Sequence, residues 1–419
     1  MNKSLCLVLA GTMGLITACN NGADQHGKGA ATDSIASAGG HAPGSFGSDL
    51  SFLQKHDEGV IVLESNEGKA QVIVSPKYQA KVFTSTADGL AGRSFGWIHY
   101  TAFEGPADPH MNGYGGENRL WLGPEGGKFS LYFKAGDSMV FDNWHTPGDF
   151  DTAAWKVVSK DGSSASMQKD MELVNYAGTH LSLSVSRDVS ILSRQAIDEL
   201  LHVTSDSSVK AVGYTTRNVL TNKGQHAWTE QGGMPCIWML DMFNPSPATT
   251  IVIPYKEPAK PGEKVATTDY FGEIPSDRIK YEGGVLFFKA DGKRRGKLGI
   301  HPHNARQVAG SYDDQNKILT ITLFDVDSTG KYLNQEWNTK KPAFSGDAVN
   351  AYNDGPLADG KQMGPFYEIE SVSPAVALKA GASLTHTHTV LHFIGDEAGL
   401  DRISKAWLGV GLEAIRKKF

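Results

Sequence analysis

Near the C-terminus, the run Leu384-Thr-His386-Thr-His388-Thr-Val-Leu-His392-Phe393 places imidazoles at even positions. On an extended strand alternate side chains share a face, so His386, His388 and His392 stand together, with Thr385, Thr387 and Thr389 opposite. Just upstream, Glu368 and Glu370 share a face of Gly364-Pro-Phe-Tyr-Glu368-Ile-Glu370-Ser371. If the two strands are neighbours with matching faces, carboxylate meets imidazole in one pocket, as a general acid/base pair requires. His-x-His on a strand also suits a metal, because side chains at i and i+2 lie about 7 Å apart and can converge on one ion. The sequence requires no cofactor, leaves room for a divalent metal, and fixes no third ligand. Tyr352, Asn353 and Asp354 add a polar turn ahead of the glutamates. The opposing expectation is a solvated, threonine-rich strand face.

A second cluster lies in His110-Met-Asn-Gly-Tyr-Gly-Gly-Glu117-Asn118-Arg119-Leu-Trp121-Leu-Gly-Pro-Glu125-Gly-Gly, which holds six glycines. Glycine lets backbone approach a ligand closely, Glu117, Arg119 and Glu125 bring charge, and Trp121 offers an apolar platform. Charged groups that bond vicinal hydroxyls beside a ring that stacks suit a sugar. The alternative is a structural corner in which Glu117 and Arg119 pair with each other. The span lacks the Gly-Lys-Ser/Thr ending of a phosphate loop. Weaker candidates are His145, the pair His301 and His303, and Arg187, which either faces the ligand or makes a salt bridge.

These residues need strands to position them. Apolar or alternating runs bounded by turn signals predict strands over Val60–Leu63, Ala70–Val74, Lys81–Ser85, Phe129–Phe133, Leu181–Leu192, Val209–Leu220, Val285–Lys289 and Ile318–Phe324. Asn66-Glu67-Gly68, Thr221-Asn222-Lys223-Gly224 and Asp313-Asp314-Gln315-Asn316 read as tight turns. Helical spacing is confined to residues 396–419, where Leu400, Ile403, Trp407, Leu408, Leu412 and Ile415 recur every three or four residues ahead of a basic end. One all-β domain over 49–395 is the simplest reading, with a split into two sandwiches near Pro254 to Lys264 as the alternative.

The N-terminus reads as export. Lys3 precedes the apolar run Leu5–Ile16, and Leu15-Ile-Thr-Ala-Cys19 resembles a lipobox, so 1–18 would be a lipoprotein signal peptide and Cys19 the lipidated first residue. Residues 19–48 carry almost no large apolar side chain and are expected to be a tether. The expected location is a lipid anchor in the bacterial envelope, at the outer membrane facing the periplasm or cell surface. With Cys6 removed and Cys19 lipidated, only Cys236 remains, in the apolar run Cys236-Ile-Trp-Met-Leu240, where a buried small hydrophobe is expected. A net charge of -6, with Arg416-Lys417-Lys418 as the longest basic cluster, excludes nucleic acid as a partner.

Three stretches resemble the galactose mutarotase-like, or aldose 1-epimerase-like, supersandwich proteins: Gly115-Gly-Glu-Asn118-Arg119-Leu120, the strand around Arg187, and Val219-Leu-Thr-Asn222-Lys-Gly224. The first is similar to their Gly-x-x-Asn-Arg sugar-binding turn, the last to their Asn-x-Gly/Ser hairpin. Over nearly the whole body, Leu120-Trp-Leu-Gly-Pro-Glu-Gly-Gly, Met242-Phe-Asn-Pro-Ser-Pro-Ala-Thr-Thr and Tyr352-Asn-Asp-Gly-Pro resemble the DUF6786 family of Bacteroidota lipoproteins, a likeness silent on activity. The mutarotase resemblance implies a large antiparallel supersandwich whose concave sheet holds a sugar, with a histidine and a glutamate as acid and base. The chain departs from it in lacking a His-x-Tyr-Phe-Asn-like segment and in clustering its histidines late. What remains implied is carbohydrate handling, and fold alone does not choose the reaction.

Two functions follow as expectations. One is a carbohydrate-active envelope lipoprotein, an epimerase, lyase or glycosidase-like enzyme using Glu368 or Glu117 with His386 or His388. The other is a non-catalytic carbohydrate-binding lipoprotein using the same concave face; a flat, apolar face would instead favour a scaffold. In either sugar-handling case Asn118, Arg119, Trp121, Glu125, Tyr352, Asn353, Asp354 and His392 are the expected ligand contacts.

Overall fold

The computed structural model describes residues 40–419 apart from 68, 204–206 and 259–261. The expected signal peptide, Cys19 and the tether up to residue 39 therefore lie outside the described residues. The strands are β1 (Ile61–Glu64), β2 (Gln71–Ser75), β3 (Lys81–Thr86), β4 (Arg119–Gly123), β5 (Lys156–Lys160), β6 (Ser164–Val174), β7 (His180–Ile191), β8 (Val209–Asn222), β9 (Cys236–Phe243) and β10 (Thr249–Pro254). They continue with β11 (Ala266–Thr267), β12 (Ile279–Glu282), β13 (Val285–Lys289), β14 (Gly296–Ile300), β15 (Val308–Asp313), β16 (Ile318–Phe324), β17 (Val349–Asn353), β18 (Tyr367–Val372) and β19 (Ser383–Gly395).

Strands β1, β2 and β3 make a small sheet. Ten strands make a second, in the order β12-β13-β10-β15-β16-β19-β8-β7-β6-β5, and six make a third, β11-β14-β17-β18-β9-β4. The ladders are antiparallel, and the two large sheets pack face to face as a large all-β sandwich, the fold class the sequence predicts. Strands from both sides of Pro254 to Lys264 share each sheet, since β10 pairs with β13 and β14 joins the ladder that leads to β9 and β4.

The facing sides carry one apolar core, with Leu120, Met239 and Ile369 from the six-stranded sheet meeting Val185, Leu220 and Val390 from the ten-stranded one. Each such side chain contributes about 1.5–3 kcal/mol on burial. The far side of the ten-stranded sheet carries a second core of Leu391, Phe393 and Ile321 under α2 (Arg194–Leu201), α3 (Glu397–Leu408) and α4 (Leu412–Arg416). Helix α3 starts where the Asp396 carboxylate accepts from Gly399 N at 3.1 Å and stops at Gly409, whose φ of 70° suits glycine. The β15–β16 turn is closed by Asp313 Oδ1, which accepts from the amides of Gln315 and Asn316.

Three local expectations are corrected. Phe129–Phe133 is an irregular loop: Leu131 N donates to Pro124 O and Ser130 N to Gly127 O, and all five side chains are buried whatever their parity. Helix α1 (Phe46–His56) begins ahead of Asp49, capped by Ser45; it buries Gly47, Ser48 and Asp49 beside Phe46 and Leu53, so its inner face shows little apolar periodicity. Helix α2 is too short for a strong period and is marked mainly by its cap, Ser193 Oγ accepting from Ala196 N. Cys236 is a buried free thiol that burial pushes up to about 12, as a small core residue should be.

Candidate functional site

In β18, Tyr367, Ile369 and Ser371 turn toward the ten-stranded sheet, Tyr367 OH lying 2.8 Å from Ser311 Oγ of β15. Glu368 and Glu370 therefore project from the opposite, outer face of the six-stranded sheet. In register beside Glu368 stand Met242 and Tyr352; beside Glu370 stand Leu240 and Asn350. Arg119 reaches in from β4 on one side, its Nη2 donating to Glu368 Oε1 at 2.6 Å. Lys297 reaches in from β14 on the other, with Nζ 3.0 Å from Glu370 Oε2, which also accepts from Trp238 Nε1 at 2.7 Å. The Arg119 guanidinium lies 5.0 Å from the Trp121 ring centre, Trp121 meets Trp238 edge-on, and Lys297 sits 4.7 Å over Trp238. Two crossed ion pairs on an aromatic bed thus occupy the sheet face.

Burial is the largest influence on Glu368 and pushes its carboxyl up to about 8, against the pull of Arg119. Burial likewise raises Glu125, opposed first by Lys297, and lowers the Lys81 ammonium to about 7, with Arg119 adding to the effect. Lys81 Nζ donates to Gly115 O. Several buried polar atoms on this face have no protein partner: Arg119 Nε, Glu370 Oε1, and both amide atoms of Asn350. Such atoms cost about 1–3 kcal/mol each when left unbonded, and together they leave both donor and acceptor capacity on this face that the protein itself does not use.

Tyr352, beside Glu368 in the ladder, also lines a cleft of about 480 Å³ together with His99, Asp108, His110, Asn112, Phe141, Trp144, Arg295, Asp354 and Met363, among others. Tyr352 OH donates to Asp354 Oδ1 at 3.0 Å and accepts from Arg295 Nε at 3.2 Å. Burial raises the Asp354 carboxyl. Trp144 stacks between Tyr132 and Trp337, and its buried Nε1 has no partner.

The model of DUF6786, a family of unknown function, matches residues 44–419. The chain belongs to that family. None of the curated proteins matches this DUF6786 sequence significantly. Among solved structures, it is similar to a galactose mutarotase-like protein from Lactobacillus casei, at 11% identity over 80% of this chain and 100% of that one, with a TM-score of 0.47. It is also similar to the Slr1438 protein of Synechocystis, at 11% identity over 80% and 96% with a TM-score of 0.49. A galactose mutarotase related enzyme from Lactobacillus acidophilus is similar at 11% identity over 80% and 97%, with a TM-score of 0.41.

The imidazoles expected beside Glu368 lie elsewhere in this DUF6786 protein. His386, His388 and His392 do share a face of β19, but that face looks into the sandwich, whereas Glu368 looks out of it; the expected shared pocket is not formed. His386 Nε2 and His388 Nδ1 both lie 2.8 Å from Ser371 Oγ, and His388 Nε2 lies 2.7 Å from Asp241 Oδ2. A carboxylate only accepts, so His388 gives its Nε2–H to Asp241; with the neutral tautomer the chain then runs from His386 Nε2–H to Ser371 and from Ser371 O–H to His388 Nδ1. Asp241 also accepts from Asn118 Nδ2 at 2.6 Å, and Asn118 receives the guanidinium of Arg187, which donates as well to Asn218 Oδ1 and Ala80 O. Burial lowers Arg187 to about 10. Arg187 is thus buried between the layers and bonded to neutral acceptors rather than in the expected salt bridge. No group of three or more His, Cys, Asp or Glu among the described residues is placed to hold a metal ion.

Glu117 also turns inward, its Oε1 accepting from Ser85 Oγ at 2.7 Å and lying 3.1 Å from His392 Nε2, so it pairs neither with Arg119 nor with Glu368. Asn353 is spent on backbone, accepting from Gly292 N and donating to Arg294 O. Of the expected residues, the outer face and cleft therefore gather Glu368, Arg119, Trp121, Glu125, Tyr352 and Asp354; Asn118, Glu117, His386, His388 and His392 belong to the interior. His301 meets Asp347 through Nδ1 at 2.8 Å, which raises it, and His145 stacks on His110. Sequence reasoning passed over Lys297, Trp238, Asn350, Arg295 and Trp144. Only Lys297 carried a usable signal, as a cation inside the otherwise apolar strand Gly296–Ile300.

Proposed function

We propose that the outer face of the six-stranded sheet and its cleft bind a carbohydrate, and that Glu368 acts on it as the acid/base group, oriented by Arg119. The observation that carries this reading is the buried Arg119–Glu368 pair beside partnerless polar atoms and an aromatic bed, with Tyr352, the register neighbour of Glu368, lining a cleft of ligand size. Hydroxyl groups supply both the donors and the acceptors that Asn350, Glu370 Oε1 and Arg119 Nε lack, and indole faces suit the apolar face of a sugar ring. A carboxyl pushed up toward neutrality can give and take a proton near pH 7.

The rival reading, binding without turnover, is favoured by the same 2.6 Å bond, because it occupies the carboxylate. Incubating the protein with sugars while following anomeric exchange and bond cleavage by NMR separates the two. Under the catalytic reading Glu368→Gln loses about 10²–10⁴ in rate with ligand affinity kept. Turnover unchanged in Glu368→Gln removes the catalytic role, and a sugar panel that neither binds nor raises the melting temperature removes the carbohydrate reading. We place the protein in the envelope through lipid on Cys19, on the lipobox alone; Cys19→Ala is expected to move it from the membrane to the soluble fraction, and retention with lipid label refutes the anchor.

A further inference from the structure

Resting on the carbohydrate reading, we propose that the sugar this cleft takes is acidic, a uronate whose carboxylate docks on the Arg295 guanidinium. Among the described residues that line the cleft, Arg295 is the one lysine or arginine, and it is exposed. Its guanidinium lies 3.7 Å from the Phe271 ring centre, and its Nε donates to Tyr352 OH at 3.2 Å. Ring and hydroxyl thus hold the guanidinium from two directions. Neither Nη reaches a protein acceptor among the described residues, and no carboxylate there pairs with the cation. A planar fork held in place with two nitrogens left over is the geometry that takes a carboxylate through two parallel hydrogen bonds.

The carboxylates that line the same cleft do not serve as the missing counter-ion. Asp354 accepts from Tyr352 OH at 3.0 Å and from Gly364 N at 3.3 Å, and Asp108 Oδ1 accepts from the amides of His110 and Met111 in its own turn. Burial also raises the Asp354 carboxyl, which lessens the negative charge an incoming anion meets. Position ties the cation to the acid/base group. Lys297, Tyr352 and Glu368 stand in one row across β14, β17 and β18, and Arg295, two residues before Lys297, bonds the hydroxyl of the tyrosine in that row. The fork therefore adjoins the row that carries Glu368, where a carboxylate anchors a sugar against the outer face. Sugar hydroxyls bond a guanidinium too, but only an anion also neutralises it.

Isothermal titration of the full chain tests this. The probes are the methyl glycosides of glucuronic, galacturonic and mannuronic acids, the methyl glycosides of glucose, galactose and mannose, and the 6-sulfates of glucose and galactose. At least one uronate is expected to bind about tenfold or more tighter than its neutral parent. Raising the salt from about 50 to about 500 mM should shrink that ratio, because an exposed ion pair is screened. Arg295→Gln is expected to bring the ratio close to one, and Arg295→Lys, which keeps the charge without the fork, to leave it in between. Arg295 is exposed, so an unchanged melting temperature certifies the fold of each variant. Neutral sugars that bind as tightly as every uronate, or a ratio that survives Arg295→Gln, overturn the acidic-sugar inference and leave the carbohydrate reading standing. A 6-sulfate that binds more tightly than every uronate overturns the carboxylate assignment. Absence of binding by every sugar overturns the inference and the carbohydrate reading together.

Discussion

Removing the Asp241 carboxylate tests whether the interior network holds the sandwich together. Asp241 is fully buried on β9, accepting from His388 Nε2 at 2.7 Å and from Asn118 Nδ2 at 2.6 Å. Asp241→Ala strips both donors of their acceptor, at about 1–3 kcal/mol each. It also removes an anion that opposes the buried Arg187 charge. Breaking such a buried charged network costs about 3–5 kcal/mol, in line with that sum and a large part of the roughly 5–15 kcal/mol that a domain has.

Asp241→Asn separates pairing from charge. Its amide oxygen still accepts from Asn118, and its NH₂ donates to His388 Nε2 if the whole chain reverses, His388 Nδ1–H giving to Ser371 and Ser371 giving to His386. The expected cost is then about 1–2 kcal/mol, read by urea denaturation followed by far-UV and tryptophan signals. If the asparagine variant costs as much as the alanine one, neutralisation of Arg187 outweighs the hydrogen bonds. A loss below about 1 kcal/mol in Asp241→Ala refutes the reasoning altogether.

Burial holds His386 down to about 3 from its ordinary 6.5, so between those values the unfolded chain binds a proton that the folded one refuses. Stability should therefore fall as the pH drops through 6.5 toward 3, and the fall should shrink in His386→Leu; urea midpoints that stay flat over that window count against a neutral buried imidazole. Lys297→Met leaves Glu370 buried with only the Trp238 indole as donor and should cost about 3–5 kcal/mol by denaturation, part of it recovered by adding Glu370→Gln. A Cβ at Gly299 would collide with Asp347 Oδ2, so Gly299→Ala should cost about 1–3 kcal/mol. By parting Asp347 from His301, it should also shift that histidine's NMR titration down toward 6.5; an unmoved titration means the carboxylate has kept its place.

Strand signals were legible where alternation and a good turn coincide: Val285–Lys289 and Ile318–Phe324 are strands over the predicted residues, and the Asp313 to Asn316 turn is closed by its own aspartate. The signal failed at Phe129–Phe133, where consecutive side chains are all buried because a second loop covers them, as the Phe129–Phe344 and Phe133–Trp337 contacts show. It failed at α1 because glycine, serine and aspartate fill much of the buried face. Local periodicity reports how many sides of an element are covered, and in both places the cover comes from distant sequence.

The same limit explains the site. Period two correctly grouped His386, His388 and His392, and separately Glu368 and Glu370, because parity is a property of one strand. Whether two such faces meet depends on which sheet each strand enters, and β18 and β19 enter different sheets. Once that is so, the residue facing the histidines must come from the odd positions of β18, and Ser371 occupies that place. The even positions then face outward, where only strands of their own sheet can supply counter-ions. Arg119 and Lys297 do so from two strands away on either side, at sequence separations no local pattern spans. Polar residues in a sandwich strand thus divide by parity into those that lock the layers and those that pair across the outer face of their own sheet, and assigning the two roles takes the sheet order.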